Sequence, residues 1–337
     1  MTPEAALDRV VHCLDRAHDT SFKAKAFHRA RNVVRATDPA ELAERAAAGT
    51  LTKLDGIGDS SAKVITEALG GGVPEYLTKL ETTTEVPMTA DGRRYRDALR
   101  GDCHLHSTWS DGGAEIEEMA ATAIALGHEY MVLTDHSPRL TIAHGLDRER
   151  LQRQLGVIAE LNTRLAPFRI LTGMEVDILE DGSLDLDDDL LGRLDVVVAS
   201  VHSKLRMERQ PMTERMVLAV SSPHVDILGH CTGRLIGKRP ESTFDADYVF
   251  AACAQFDTAV EINCRPERLD PPRELLDVAI GYGCWFSIDT DAHATGQLEW
   301  QAYGCDRAAE REVPLERVVN TMSAVDLLAW ASVSGAA

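Results

Sequence analysis

The chain has 337 residues, 44% hydrophobic and 26% charged, a soluble globular composition that excludes a disordered or collagen-like polymer and leaves room for one large and one small unit. The net charge is −19; the first 80 residues balance 11 basic against 11 acidic groups, so the whole acidic excess lies beyond them. Bulk electrostatics therefore gives the larger part no non-specific affinity for polyanions, and any nucleic-acid contact must be local.

No run of ~18 uncharged apolar residues appears, and the N-terminus lacks the basic-then-apolar layout of a signal peptide. A cytoplasmic protein is expected, with no membrane partner and no obligate protein partner evident. Seven scattered cysteines without a CxxC pair speak for reduced thiols rather than a disulfide framework or a thiolate zinc site.

In chain order, residues 1–80 read as a helical domain: Leu7, Val10, Val11 and Leu14 recur at helical spacing, and Phe22 to Val34 continues the pattern with basic residues between. Leu51-Thr52-Lys53-Leu54-Asp55-Gly56-Ile57-Gly58 interrupts it before Ala62, Val64 and Ile65 resume. Glycines around an isoleucine permit a tight turn that offers backbone N–H groups to a phosphate at a helix start. The string resembles a helix-hairpin-helix, a DNA-backbone-binding motif, with Gly56, Gly58 and Lys63 as the candidate DNA contacts. Phe22 to Ala30 is similar to the N-terminal lyase-type domain of family-X DNA polymerases. The position of the Schiff-base lysine in lyase-active relatives is Val64 here, so lyase activity is not expected.

Residues 81–98, with Thr82-Thr83-Thr84 and Pro87, read as a linker. From 99 to 337 short apolar strands, near 101–106, 129–134, 168–175, 195–201, 225–230, 257–262 and 284–289, alternate with amphipathic helices such as Glu115–Leu126, Arg148–Leu165 and Pro272–Gly281. This alternation predicts an α/β parallel sheet or barrel of about seven strands.

Nine metal-binding side chains follow in order along this region: His104-x-His106, Asp111, His136, Glu175, His202, His230 and Asp291-x-His293. Residues i and i+2 of a strand share a face, so His-x-His and Asp-x-His each offer two ligands to one side. Almost all fall at or just after the C-terminal end of a strand, where α/β barrels gather catalytic groups. Six imidazoles and three carboxylates exceed the needs of one ion, so a cluster of two or three metals is expected. Of the acidic runs, Asp185–Asp189 reads as a solvated helix start, whereas Asp289–Asp291 includes a ligand.

In this order the nine residues resemble the PHP (polymerase and histidinol phosphatase) superfamily over roughly residues 100–330. Ser200-Val201-His202-Ser203, Asp226 to Leu235, Glu261-Ile262-Asn263 and Pro266-Glu267-Arg268-Leu269-Asp270 are similar to the C-terminal PHP domain of bacterial family-X DNA polymerases. The nucleotidyl-transfer palm of those polymerases is absent. The resemblance implies a distorted seven-stranded (β/α) barrel, preceded by the small all-α domain, with a trinuclear site and phosphoesterase activity. It assigns His104, His106, Glu175 and Asp291 to one metal, Glu175 bridging to a second held by His202 and His230, and Asp111, His136 and His293 to a third. Two departures are Cys231, where those polymerases usually carry proline, and Arg265 beside Pro266.

The expected chemistry is hydrolysis of phosphate esters by a metal-activated hydroxide, with Glu175, His202 and Asp291 as catalytic residues and three divalent ions, zinc, manganese or iron, as cofactors. Asp135 is a candidate acceptor for the free N–H of a ligating imidazole. Arg234, Arg268, Arg265 and Lys204 follow strand ends and are candidate phosphate ligands, and His144 a candidate leaving-group acid or substrate contact. The substrate expected is a DNA 3′ end, processed as an exonuclease or 3′-phosphatase. The alternatives are a small phosphomonoester, such as histidinol phosphate or a nucleotide, and a non-catalytic DNA-binding adaptor.

Overall fold

In the computed structural model, which describes residues 1–334, the chain forms two compact units, Met1–Val86 with Thr295–Gln297, and Pro87–Ala294 with the described residues from Leu298 onward. The first unit is helical: α1 (Pro3–Arg16), α2 (Phe22–Ala36), α3 (Pro39–Ala47), α4 (Asp59–Leu69) and α5 (Glu75–Thr83). Thr2, Ser21 and Asp38 cap α1, α2 and α3 by accepting first-turn N–H groups, and proline opens α1 and α3 where no intrahelical donor is needed. Leu7, Val10, Leu14, Phe27, Ile65 and Leu77 fill its core.

The segment expected as a linker is structured differently. It contains the end of α5 and a further helix, α6 (Ala90–Ala98), belonging to the second unit. Thr89 caps α6 and also donates its hydroxyl to Asp306, and the Tyr95 hydroxyl reaches the Val313 carbonyl at 2.7 Å. Gly92 lies so close to Asp306 that a Cβ would collide with its carboxylate. These partners lie more than 200 residues away, so local composition gives no sign of them.

The rest of the second unit alternates β1 (Gly101–Leu105), α7 (Ile116–Ala125), β2 (Tyr130–Leu133), α8 (Arg148–Leu165), β3 (Arg169–Asp177), α9 (Asp188–Leu191), β4 (Val196–Ser200), α10 (Arg209–Val220), β5 (Ile227–Leu228), α11 (Ala246–Gln255), β6 (Ala259–Asn263), α12 (Arg273–Gly281) and β7 (Phe286–Asp289), ending with α13 (Gln301–Glu310) and α14 (Ala324–Ser334). All seven strands are parallel and stand in sequential order. The seam is nearly closed beyond the strand ends, where the Asp291 N–H reaches the His104 carbonyl at 2.9 Å and the His106 N–H reaches the Ala292 carbonyl at 2.8 Å. The strands are buried almost throughout, as expected when helices cover a parallel sheet whose inner face is packed. Among the described residues no helix is long and apolar enough to cross a membrane.

Candidate metal centre

Each of the seven strands delivers polar side chains at or beyond its C-terminal end, and the nine expected ligands converge there. Every one of the nine stands within 3.6 Å, nitrogen to oxygen, of at least one other. Glu175, from the end of β3, is at the centre. Its Oε2 faces His136 Nδ1 at 2.9 Å, His104 Nε2 at 3.4 Å and His106 Nε2 at 3.6 Å; its Oε1 faces His230 Nε2 at 2.8 Å and His202 Nε2 at 3.2 Å. The alternation of β1 brings His104 and His106 to the same side. Asp291, with φ of 52°, occupies the left-handed region, a strained conformation held by its N–H to His104.

Three sets of donor atoms lie mutually within 4.8 Å: His106, Asp111, His136 and His293; His104, His106 and Asp291; and His136, Glu175 and His202. His106 and His136 belong to two sets each. His136 turns Nδ1 toward Glu175 and Nε2 toward Asp111, 3.5 Å away, so the sets are less separate than the three ligand groups implied by the resemblance. The rings are crowded, with centroids 4.4 Å apart for His106 and His136 and 4.2 Å for His106 and His293.

This crowding shapes the electrostatics. Burial and the neighbouring His293 and His136 hold His106 well below the usual imidazole range, and burial with Arg268 brings His230 down to about 3. Burial also opposes a charge on His202, but Glu175 and Asp177 outweigh it and raise that imidazole to about 9. For Glu175 burial is overcome by His202, His104 and His136, and for Asp291 by His106, Arg268 and Arg265; both carboxyls lie well below their usual range.

The donor atoms fit divalent cations. His104 Nε2, both His106 nitrogens, His136 Nδ1 and both Glu175 oxygens are buried with no hydrogen-bond partner among the described residues, although buried polar atoms normally have one. Imidazole nitrogens with carboxylate oxygens are a donor set that suits zinc, manganese or iron.

The supporting groups differ from expectation. Asp135 touches none of the imidazoles: it accepts from the Ser107 N–H and hydroxyl, the Ser110 hydroxyl and Gln154, and so fixes the loop between His106 and Asp111. The carboxylate that orients a histidine is Glu261 on β6, whose Oε1 lies 2.6 Å from His104 Nδ1 while Oε2 takes the His230 N–H. Asn263, two residues on, links Glu261 to Asp291 at 3.2 and 3.3 Å. Their signal was present in the sequence as two polar residues at i and i+2 in the apolar strand Ala259-Val260-Glu261-Ile262-Asn263. Asp177 similarly receives the His202 N–H.

Among the cationic candidates, Arg268 and Arg265 approach the cluster, with Arg268 Nε 3.1 Å and Arg265 Nη1 3.8 Å from Asp291. Arg234 instead directs its guanidinium to the carbonyls of Arg268 and Leu269 and to Glu241, bracing the loop that carries Arg268. Lys204 is exposed, 3.7 Å from Glu180, and His144 is exposed on the loop after β2 with a left-handed backbone. In the helical unit, Gly56 has φ of 91° and a Cβ there would lie 2.9 Å from Val33, so glycine is required. Gly58 precedes α4 and gives its N–H to the Ser61 hydroxyl, and Lys63 pairs with Glu75 and Glu67.

Comparison with known proteins places these observations among relatives. Residues 102–264 match the family model described as PHP domain. The chain is 42% identical over 232 residues to the DNA polymerase/3′-5′ exonuclease PolX of Bacillus subtilis, covering 69% of this chain and 41% of the polymerase. It is 32% identical over 170 residues to a probable phosphatase of Thermoanaerobacter, covering 48% of this chain and 63% of that protein. It thus spans less than two thirds of either relative. Among solved structures, histidinol phosphate phosphatase from Lactococcus lactis is matched with a TM-score of 0.44 at 18% identity, over 64% of this chain and 94% of that one.

Proposed function

Since the chain is a PHP domain protein, we propose that it is a metal-dependent phosphoesterase that processes DNA 3′ ends, as a 3′-5′ exonuclease or 3′-phosphatase. The observation that carries this reading is the Glu175 carboxylate, buried among five imidazole nitrogens with neither oxygen hydrogen-bonded. The 42% identity with a polymerase named as a 3′-5′ exonuclease supports DNA as the substrate.

Three divalent ions, zinc, manganese or iron, are proposed as the cofactors, held by His104, His106, Asp111, His136, Glu175, His202, His230, Asp291 and His293. When bound they supply Lewis acidity toward the phosphoryl group and toward an attacking water. The chain's own residues prepare the place. Glu175, His202 and Asp291 line the reacting centre, and Glu261 fixes the His104 ring so that Nε2 points inward. Arg265 Nε and Arg268 Nη1 are buried guanidinium N–H groups without a hydrogen-bond acceptor among the described residues and are available to phosphate oxygens, while Arg268 Nε faces Asp291 at 3.1 Å. Arg234 positions Arg268, while Lys204 and His144 lie farther out as substrate contacts. Gly56, Gly58 and Lys63 of the helical unit supply a second contact to the DNA backbone.

The test is to strip the protein with a chelator and restore it with manganese or zinc. Turnover on 3′-phosphorylated DNA, unmodified single strands and histidinol phosphate is then compared. Metal-dependent release from DNA is expected; activity confined to histidinol phosphate would remove the DNA reading. That second reading, a small phosphomonoesterase, is favoured by the acidic charge of the barrel and by the relative named as a probable phosphatase. A DNA-binding adaptor would keep its affinity and lose no turnover on replacing His104 and His106 by alanine.

A further inference from the structure

The loops around the centre divide by charge. From the end of β3 into α9, residues 178–189 carry six acids, Glu180, Asp181, Asp185, Asp187, Asp188 and Asp189, and no lysine or arginine; Asp185 pairs with Arg139, and Asp187 and Asp189 share Arg148, which leaves the segment net acidic. The loops after β4 and β5, residues 201–209 and 229–245, carry six bases against three acids in a chain whose acids outnumber its bases by 19. These basic loops follow the strands that deliver His202 and His230, so they begin at the metal centre.

The two loops form one surface. The Ser242 hydroxyl reaches the Leu205 carbonyl at 2.9 Å, and reciprocal bonds between Leu235 and Arg239 at 2.9 and 2.8 Å close the second loop into a hairpin. Between them is a cavity of about 470 Å³ whose lining includes Arg206, Arg209 and Arg239. No hydrogen bond or ion pair engages the exposed Arg206 side chain among the described residues. Among the described residues the exposed Lys238 and Arg209 side chains pair with the half-buried Glu267 and Asp245, contacts that solvent on the basic partner weakens. A polyanion reaching the centre is repelled over the β3 loop and attracted over the β4 and β5 loops, because both fields act within a Debye length of the surface.

We infer that the β4 and β5 loops are the track for the phosphodiester backbone of the DNA strand whose 3′ end enters the centre, with Arg206 and Lys238 neutralising successive phosphates. The inference rests on the DNA reading above and adds to it the direction from which the strand arrives.

The experiment measures KM and kcat for a single-stranded 20-mer over a salt series, beside p-nitrophenyl phosphate, for wild type and for Arg206→Ala combined with Lys238→Ala. A double variant on the opposite face, Arg164→Ala with Arg193→Ala, removes the same charge before β3 and β4. For the track variant the oligonucleotide KM is expected to rise about 10-fold near 0.1 M salt, and the slope of log affinity against log salt to weaken by about 1.4, for two lost contacts. Turnover of p-nitrophenyl phosphate stays unchanged, and the opposite-face variant matches wild type. If wild type cleaves the oligonucleotide and the track variant does so equally well, the inference is overturned alone. Equal losses in both double variants, or equal loss on the small ester, also overturn it. A wild type that hydrolyses p-nitrophenyl phosphate but no oligonucleotide overturns the DNA reading and the track with it.

Discussion

The barrel buries two polar clusters that treat their carboxylates in opposite ways. At the β1–β7 seam, Asp102 accepts from the His104 and Thr290 N–H groups and the Thr290 hydroxyl, while Asp289 accepts from the Cys103 N–H and the Asn320 amide. Burial raises both acids, and Asp289 raises Asp102 further. Glu175 and Asp291 are as deeply buried yet held low, because histidines face Glu175, and His106 with two arginines faces Asp291 beside a single amide donor, Asn263. A buried carboxylate satisfied by backbone and amide donors fixes the fold, whereas one surrounded by imidazoles without hydrogen bonds is arranged for cations.

The largest effect that would sharpen this contrast is expected from Glu175→Gln. Loss of the shared carboxylate should lower kcat by about 1,000-fold or more, roughly 4 kcal/mol. Metal content measured by elemental analysis should fall, while the metal-free protein keeps its melting temperature. A variant that retains its metals and its rate would break the comparison on the site's side.

At the seam the outcome should be reversed. Asn320→Ala removes donors to Asp289 and to the Gly101 and Ile288 carbonyls, all buried. It should cost about 3 kcal/mol in urea unfolding, with metal stoichiometry unchanged. Unaltered stability there would show that the seam does not hold the barrel closed.

Glu261→Gln lies between the two in kind. It keeps the shape but weakens the acceptor for His104, and a 10- to 100-fold loss of activity or metal affinity is expected, about 1.4 to 2.8 kcal/mol. A urea midpoint near wild type would separate orientation from folding.

The effect that is smallest at neutral pH concerns a histidine outside both clusters. His128 is buried against Gln301, and burial together with Arg96 brings it down to about 3. Its unfolded value is about 6.5, so between those values the unfolded chain binds the extra proton and stability rises with pH. The contribution is therefore complete above about pH 6.5 and is lost at about 1.4 kcal/mol per unit as pH falls toward 3. His128→Gln should flatten that part of the melting-temperature profile relative to wild type; parallel profiles would refute the shift.

Much of the architecture was legible because its signals are local. Alternation of apolar runs located the seven strands to within a few residues, and α8 falls on Arg148–Leu165 as the apolar spacing predicts. The convergence of the nine donor side chains was legible because His-x-His and Asp-x-His pairs stand at or just beyond strand ends. The segment 81–98 misled because the capping threonine and the glycine of α6 take their meaning from Asp306, far along the chain. Asp135 misled for a related reason: adjacency to His136 in sequence turns its side chain toward the loop after β1, away from the imidazoles.

What the sequence by itself determined was the supply of donors and their order, since side-chain direction along a strand follows from its period of two. Barrel closure and strand register decided the rest: which Glu175 oxygen meets which imidazole, that Glu261 rather than Asp135 orients a histidine, and that Arg234 braces a loop while Arg268 faces Asp291. Those pairings join residues separated by as many as 157 positions in the case of His104 and Glu261, and only the packed fold brings such atoms within bonding distance.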